Sequence, residues 1–388
     1  MSYVFAKINL IFIFNTFDFF EVKYKIYSMD FYEENKQAFD EVKSRIEAEP
    51  DNPEHYLVYG KLCVLGDMCE EALDCYDRLL KIDPLNIQAL VNTGSIYFFK
   101  KDYEKAINFY SRAMETNDEN VSVLYNLGNA YAEIGKINQA MECYQKALSL
   151  DKKDPEIYNA IALLHQDLDE YPEAVTNFQR ALSFDTNNPV YNDNIASAFA
   201  KMKMYDEAIY HYKKALKFLP DDEKILLCLA NAYSSVKKYK EANETFEKTI
   251  ETAPKYYNAY ICHAISLTEE GRINEACEKY DIAAEINPNS SKAFVLKANL
   301  LVSEKEYSQA VELYKKGMLA EPKNAKIYVY AGNTCVLVGD KISAIKNYKK
   351  ASDIIPNDKE TKLLFYDTVC DYLENVKKIK KENHKSGK

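Results

Sequence analysis

The side chains best placed for chemistry in this sequence are carboxamides at a fixed interval. Asn92 and Asn126 are 34 residues apart, and Asn194 lies two such steps further on. A second series, Asn129, Asn231, Asn299 and Asn333, falls on the same step, three residues later in each period. A primary amide offers two N–H donors and a carbonyl acceptor. A row of them can hold the main chain of an extended peptide, whatever side chains that peptide carries. Other chemistry finds little material. Nine Cys (63, 69, 75, 143, 228, 262, 277, 335 and 370) include no C-x-x-C pair, and only five His are present. Neither a disulfide framework nor a structural zinc site is expected, and the thiols read as reduced and buried. There is no Gly-rich phosphate loop, no H-E-x-x-H and no G-x-S-x-G. No catalytic residue, metal or cofactor is therefore expected. His165 and His263 fall on periodic core positions and read as packed side chains.

The elements that carry these amides follow from three columns with the same 34-residue step. One is Ala72, 106, 140, 174, 208, 242, 276, 310 and 344. A second is aromatic: Tyr76, Tyr110, Tyr144, Phe178, Tyr212, Phe246, Tyr280, Tyr314 and Tyr348. The third is small: Gly60, Gly94, Gly128, Ala162, Ala196, Ala230, Ala264, Ala298 and Gly332. A fixed period of this length signals a stacked repeat. Within each unit the apolar spacing predicts two helices. Leu124, Leu127, Gly128 and Tyr131 follow one helical stripe, a turn falls at Gly135-Lys136, and Ala140, Tyr144 and Ala147 follow the next. Small residues let the two backbones approach, and the aromatic four residues after the Ala fills the space beside the contact. Small residues at 113, 147, 181, 215, 283, 317 and 351 should face the following unit. Pro84, Pro220, Pro254, Pro288, Pro322 and Pro356 should stop the second helix, with a weaker stop where Asp118, Lys152 and Thr186 stand instead.

These columns resemble the tetratricopeptide (TPR) family; Leu124 to Asp151, LYNLGNAYAEIGKINQAMECYQKALSLD, is close to its consensus. The resemblance implies an all-α, right-handed superhelical solenoid of about nine helix-turn-helix repeats plus a C-terminal capping helix. The fourth slot of each unit, often Trp in the family, holds Asn192 in the fifth, which suggests a locally looser repeat. The family's groove is lined by the sixth and ninth slots of each first helix, i, i+3 on one face. The candidate partner-binding residues Asn92, Asn126, Asn129, Asn194, Asn231, Asn299 and Asn333 occupy those slots. This ladder is similar to that of O-linked N-acetylglucosamine transferases. The family's carboxylate-clamp subclass needs a basic fifth slot; here those slots run Leu57, Val91, Tyr125, Asn159, Asp193, Leu227, Ile261, Val295 and Val329, and none is basic.

The expected organisation is an apolar N-terminal extension over 1–28, disordered or a non-native leader ahead of Met29, with an anchor or targeting role as the remaining reading. A degenerate half-repeat over 29–52 follows, then nine repeats over 53–358, a capping helix over 359–380 and a basic tail over 381–388. With 50 Lys+Arg against 60 Asp+Glu the formal charge is −10. Setting aside the C-terminal run with six Lys and one Glu leaves about −15 (−10 minus +5), which favours a basic partner over nucleic acid. No stretch is apolar enough to span a bilayer, and no membrane partner is expected. The expected role is a non-enzymatic scaffold, in the cytoplasm or the nucleus, that takes a protein or peptide in its groove. The alternatives are a subunit of a larger multi-TPR complex, of the ciliary cargo-coat or cell-cycle ubiquitin ligase type, and the peptide-docking part of a glycosyltransferase.

Overall fold

The computed structural model describes residues 30–117 and 119–386, with side chains placed up to residue 377. The expectations for 1–28 lie outside the described residues. Twenty helices and no strand occur among the described residues. The order is α1 (Asp30–Ala48), α2 (Pro53–Leu65), α3 (Cys69–Ile82), α4 (Ile87–Phe99), α5 (Tyr103–Thr116), α6 (Val121–Glu133), α7 (Ile137–Leu150), α8 (Pro155–Asp167), α9 (Tyr171–Phe184) and α10 (Pro189–Lys201). Then come α11 (Tyr205–Ala215), α12 (Glu223–Ser235), α13 (Tyr239–Thr252), α14 (Tyr257–Glu270), α15 (Ile273–Ile286), α16 (Lys292–Ser303), α17 (Tyr307–Ala320), α18 (Ala325–Leu337), α19 (Lys341–Ile354) and α20 (Lys359–Ser386). Even numbers from α2 to α18 are the first helices of nine repeats and odd numbers from α3 to α19 the second. Consecutive helices pack on one another from α1 to α9 and again from α11 to α20. The chain divides into two compact units, residues 1–191 and 192–388.

The small-residue column explains the pairing. A Cβ added to Gly128 would sit 2.5 Å from Cε1 of Tyr144, and one added to Gly60, Gly94 or Gly332 would meet its own repeat's tyrosine ring at 2.4–2.7 Å. The Cδ1–Cε1–Cζ side of the ring therefore lies against bare backbone. Where Ala replaces Gly, at 162, 196, 230, 264 and 298, it is fully buried in the same contact. A Cβ added to Gly317 would lie 3.5 Å from Val295 of its own repeat and 3.6 Å from Ile327 of the next, which places this position at the seam between repeats.

The turns inside the repeats follow a rule that glycine does not announce. Residues 67, 101, 135, 169, 203, 237, 271, 305 and 339, again 34 apart, all have positive φ. Only three are Gly; the others are Asp67, Lys101, Asp169, Lys203, Lys237 and Lys305. Asn and Asp open many first helices. Oδ1 of Asn52, Asn86, Asn120, Asp154 and Asp222 accepts a backbone N–H of the helix that follows.

Three expectations change. Second helices stop two residues before the Pro slot whether or not Pro is there: α5, α7 and α9 end at Thr116, Leu150 and Phe184. The stop before Asp118, Lys152 and Thr186 is as sharp as elsewhere because the next cap fixes it. The fifth repeat does deviate, but at its second helix, where α11 ends at Ala215 and a turn carries the chain to Pro220. Asn192 is not loose: it is 2% exposed and its Oδ1 accepts from Nδ1 of His211 at 3.1 Å. Finally, α20 runs to Ser386 rather than 380, since the Lys-rich segment is a good helix former that suits a helix C-terminus.

At the flanks, Phe39 and Val42 of α1 are buried against α2, with the Phe39 ring edge-on to Tyr59. Leu364 and Phe365 of α20 pack against Cys335 and Tyr348.

Candidate protein-binding face

Each ninth-slot residue sits fifteen positions before the second-helix aromatic of its own repeat, and the structure joins the two. Tyr144 Oη donates to Asn129 Oδ1 at 2.6 Å, Tyr314 to Asn299 Oδ1 at 2.6 Å and Tyr348 to Asn333 Oδ1 at 2.7 Å. Where the ninth slot is Ser, the same pairing appears: Ser95 with Tyr110 at 3.0 Å and Ser197 with Tyr212 at 3.3 Å. Where the aromatic is Phe178 there is no hydroxyl to satisfy, and the slot holds Leu163. Buried polar groups need partners, so the phenol selects the side chain opposite it.

The exceptions obey the same need. Lys61 reaches away to Gln88 at 3.0 Å, and the Tyr76 hydroxyl takes Asn92 Nδ2 of the next repeat at 3.2 Å. Opposite Ile265, the Tyr280 hydroxyl lies near Thr268, whose own Oγ1 donates to Ala264 O at 2.8 Å. Asn231 stands fifteen positions before Phe246, has no phenol to serve, and lies near the Cys262 thiol. Four of the seven candidate amides, at 92, 129, 299 and 333, thus hold a tyrosine in place. That role was missed in the sequence, although the match between ninth slot and aromatic type signals it.

A carboxamide whose Oδ1 is engaged keeps both Nδ2 protons. Asn299 and Asn333 are exposed, so in the second unit they present donors 34 residues apart. Asn92, Asn126, Asn129, Asn194 and Asn231 are half-buried. Asn126 has no hydrogen-bond partner among the described residues. The supporting tyrosines are neutral: burial pushes Tyr110 and Tyr280 up to about 12. At the start of the second unit, burial and the neighbouring Asp222 push Asp193 up to about 6. Ile265, Tyr330 and Leu337 on first helices are exposed and supply apolar surface. Phe98 is half-buried edge-on to Tyr103, and Phe99 is 41% exposed.

The cysteines form no disulfide, and burial pushes Cys63 up to about 12 and Cys75 and Cys143 to about 11. Only Cys63 and Cys335 are fully buried and Cys370 is exposed, against the expectation that all are interior. His165 is half-buried on Glu170 at 2.7 Å, and His263 is buried. Among the described residues no group of three or more His, Cys, Asp or Glu could hold a metal ion, and no helix is long and apolar enough to cross a membrane.

Paired helices on a 34-residue step, locked by small residues under aromatic rings, define a tetratricopeptide-repeat protein. The chain belongs to the family of the cilia and flagella-associated protein 70 C-terminal domain, whose model matches residues 29–264. No curated protein matches the sequence. Among solved structures it is similar to YrrB, a TPR protein with an unusual peptide-binding site, at 21% identity over 48% of this chain and 97% of that one, with a TM-score of 0.43. It is also similar to MamA (26%, covering 44% and 92%, TM-score 0.40) and to yeast Tom70 (16%, covering 88% and 86%, TM-score 0.49).

Proposed function

We propose that this protein is a scaffold that binds an extended segment of a partner protein on the first-helix faces of its repeats. Asn126 and Asn194 on the sixth slots, and the free Nδ2 groups of Asn299 and Asn333, would donate to main-chain carbonyls of that segment. The observation that carries the reading is the orientation of Asn299 and Asn333. Their Oδ1 atoms are taken by buried phenols, so outward-facing donors recur at the repeat interval. Main-chain recognition gives affinity, and Ile265, Tyr330 and Leu337 give side-chain selection. Replacing Asn126, Asn194, Asn299 and Asn333 together by Asp keeps their size but swaps donors for acceptors. That variant should retain full helicity and lose partner capture by at least tenfold. Undiminished capture of every partner would refute the choice of face.

A second reading is favoured by the family match: the protein serves as a component of a ciliary or flagellar assembly. Co-fractionation of the full chain with isolated cilia or flagella, at a size well above monomer, is its expected signature. A single monomer-sized peak in such an extract would count against it.

A further inference from the structure

One charged residue breaks the pattern of the first-helix face. Of the fifth slots of the nine repeats, from Leu57 to Val329, only Asp193 carries a charge. The four that follow it are aliphatic: Leu227, Ile261, Val295 and Val329. Asp193 lies on α10 at the start of the second unit, one helical turn before the ninth-slot Ser197, so the two share a face. Ser197 pairs with the Tyr212 hydroxyl of α11 at 3.3 Å. The Asp193 carboxylate stands near that phenol and near the thiol of Cys228, the sixth slot of the next repeat.

This carboxylate lacks partners. It is half-buried, and among the described residues it makes no hydrogen bond and no ion pair. The one charge that acts on it, Asp222, has the same sign. Asp222 is itself engaged, its Oδ1 accepting the backbone N–H groups of Lys224 and Ile225 at 3.0 and 2.9 Å. Neither oxygen of Asp193 is shut away from solvent, so both can be reached. A half-buried carboxylate without donors is unfavourable, and its pKa rises to about 6 for that reason. An aliphatic side chain, as in the next four repeats, would avoid the cost. A local rule broken at a position that solvent still reaches marks a place where a ligand supplies the missing group.

That group has a definite chemistry. Both oxygens are unengaged, so a donor fork can meet the two together. A guanidinium offers such a fork, stays charged, and is more weakly hydrated than an ammonium, which suits a half-buried place.

We propose that Asp193 receives an arginine side chain of the bound segment, its guanidinium donating to both carboxylate oxygens, with Asp222 as a second negative charge beside it. This rests on the first-helix face being where the partner lies, and it specifies one side chain of that partner.

The test uses the full chain labelled with ¹³C at its aspartate carboxyl groups, at a pH well above the Asp193 value of about 6. The first probe is n-butylguanidinium, with n-butylurea as the neutral control. From its eight heavy atoms, a Kd of roughly 10–20 mM is expected. The signal of Asp193 should shift saturably with the cation and not with the urea, while that of exposed Asp353 should not saturate over the same range. Asp193→Asn assigns the signal by removing it, and it relieves an uncompensated charge, so the variant should fold. The second probe is acetyl-Ala-Ala-Arg-Ala-Ala-amide, compared with the same peptide carrying citrulline in place of arginine. The wild-type chain should prefer the arginine peptide by about tenfold and D193N should show no preference. Butylguanidinium saturating at Asp193 while neither peptide perturbs the first helices would refute the binding face and leave the guanidinium site standing. No saturable shift at Asp193, an equal response to butylurea, or an arginine preference that survives in D193N would overturn the proposal.

Discussion

Replacing Asn129 by Leu and Tyr144 by Phe, singly and together, tests whether the ninth-slot amides are chosen for the phenols they meet. Tyr144 is 2% exposed, and its hydroxyl donates to Asn129 Oδ1 at 2.6 Å. Asn129→Leu strands that buried hydroxyl, which should cost about 2 kcal/mol. Tyr144→Phe removes one hydrogen bond and leaves a half-buried amide that water can reach, costing about 1 kcal/mol. The double variant recreates the Leu163–Phe178 pair of the following repeat and should cost less than about 1 kcal/mol. The coupling is then about 2 kcal/mol, well above the few tenths expected for independent sites. A chain of stacked repeats opens locally, so the free energies should be read from amide hydrogen exchange in α6 and α7. Additive costs, with coupling below about 0.5 kcal/mol, would refute the reasoning and return Asn129 to the list of residues kept for a ligand alone.

Four further outcomes follow from the same packing. Lys203→Gly and Lys237→Gly relieve a left-handed backbone at φ 61° and 59°; each should stabilise its repeat by about 0.5–1 kcal/mol in local exchange, because the relief exceeds glycine's entropy loss. Gly94→Val places a branched side chain where a Cβ alone would be 2.7 Å from the Tyr110 ring; a loss of about 2–3 kcal/mol is expected in the first unit, with no change in exchange at α18 and α19. Asp222→Ala removes the acceptor for the backbone N–H groups of Lys224 and Ile225 and should cost about 1 kcal/mol at α12. The second unit should lose stability between pH 7 and 4. Burial draws His211 and His263 down to about 4, so their contribution is complete above the unfolded value of 6.5 and is lost as pH falls towards 4. Asp193, raised to about 6, acts in the opposite sense, favouring the fold below the unfolded value and losing that contribution as pH rises through 6. The two histidines outweigh it, leaving a net loss on the order of 2–4 kcal/mol, to be checked by exchange at several pH values.

The repeat and its helices were legible because steric columns leave a periodic trace. A ring pressed on bare backbone demands Gly or Ala at one place and Tyr or Phe at another, in all nine units. The left-handed turn residues were not legible, since six of nine are Asp or Lys, whose side chains give no sign of positive φ. There the helices on either side dictate the turn, and the local preference yields. The amides were found, but their first duty was misread. An asparagine opposite a tyrosine is equally consistent with a ligand and with a phenol, until Leu163 opposite Phe178 is set beside Asn129 opposite Tyr144. His263 and Lys297 share a slot that holds Tyr, Thr or an aliphatic residue in the other repeats. Reading His263 as packed matches its burial, though its Nδ1 has no hydrogen-bond partner.

If the first-helix face holds the partner segment, cross-links should form there and not on the outer surface of α17. The most direct measurement installs a photoreactive benzoylphenylalanine in the full chain at position 299 or 333 and, for comparison, at exposed position 312 on α17. Each variant is irradiated in an extract of cilia or flagella. The account predicts a discrete protein adduct from 299 and 333 and none from 312. Adducts from 312 alone, or the same adducts from all three positions, would contradict it.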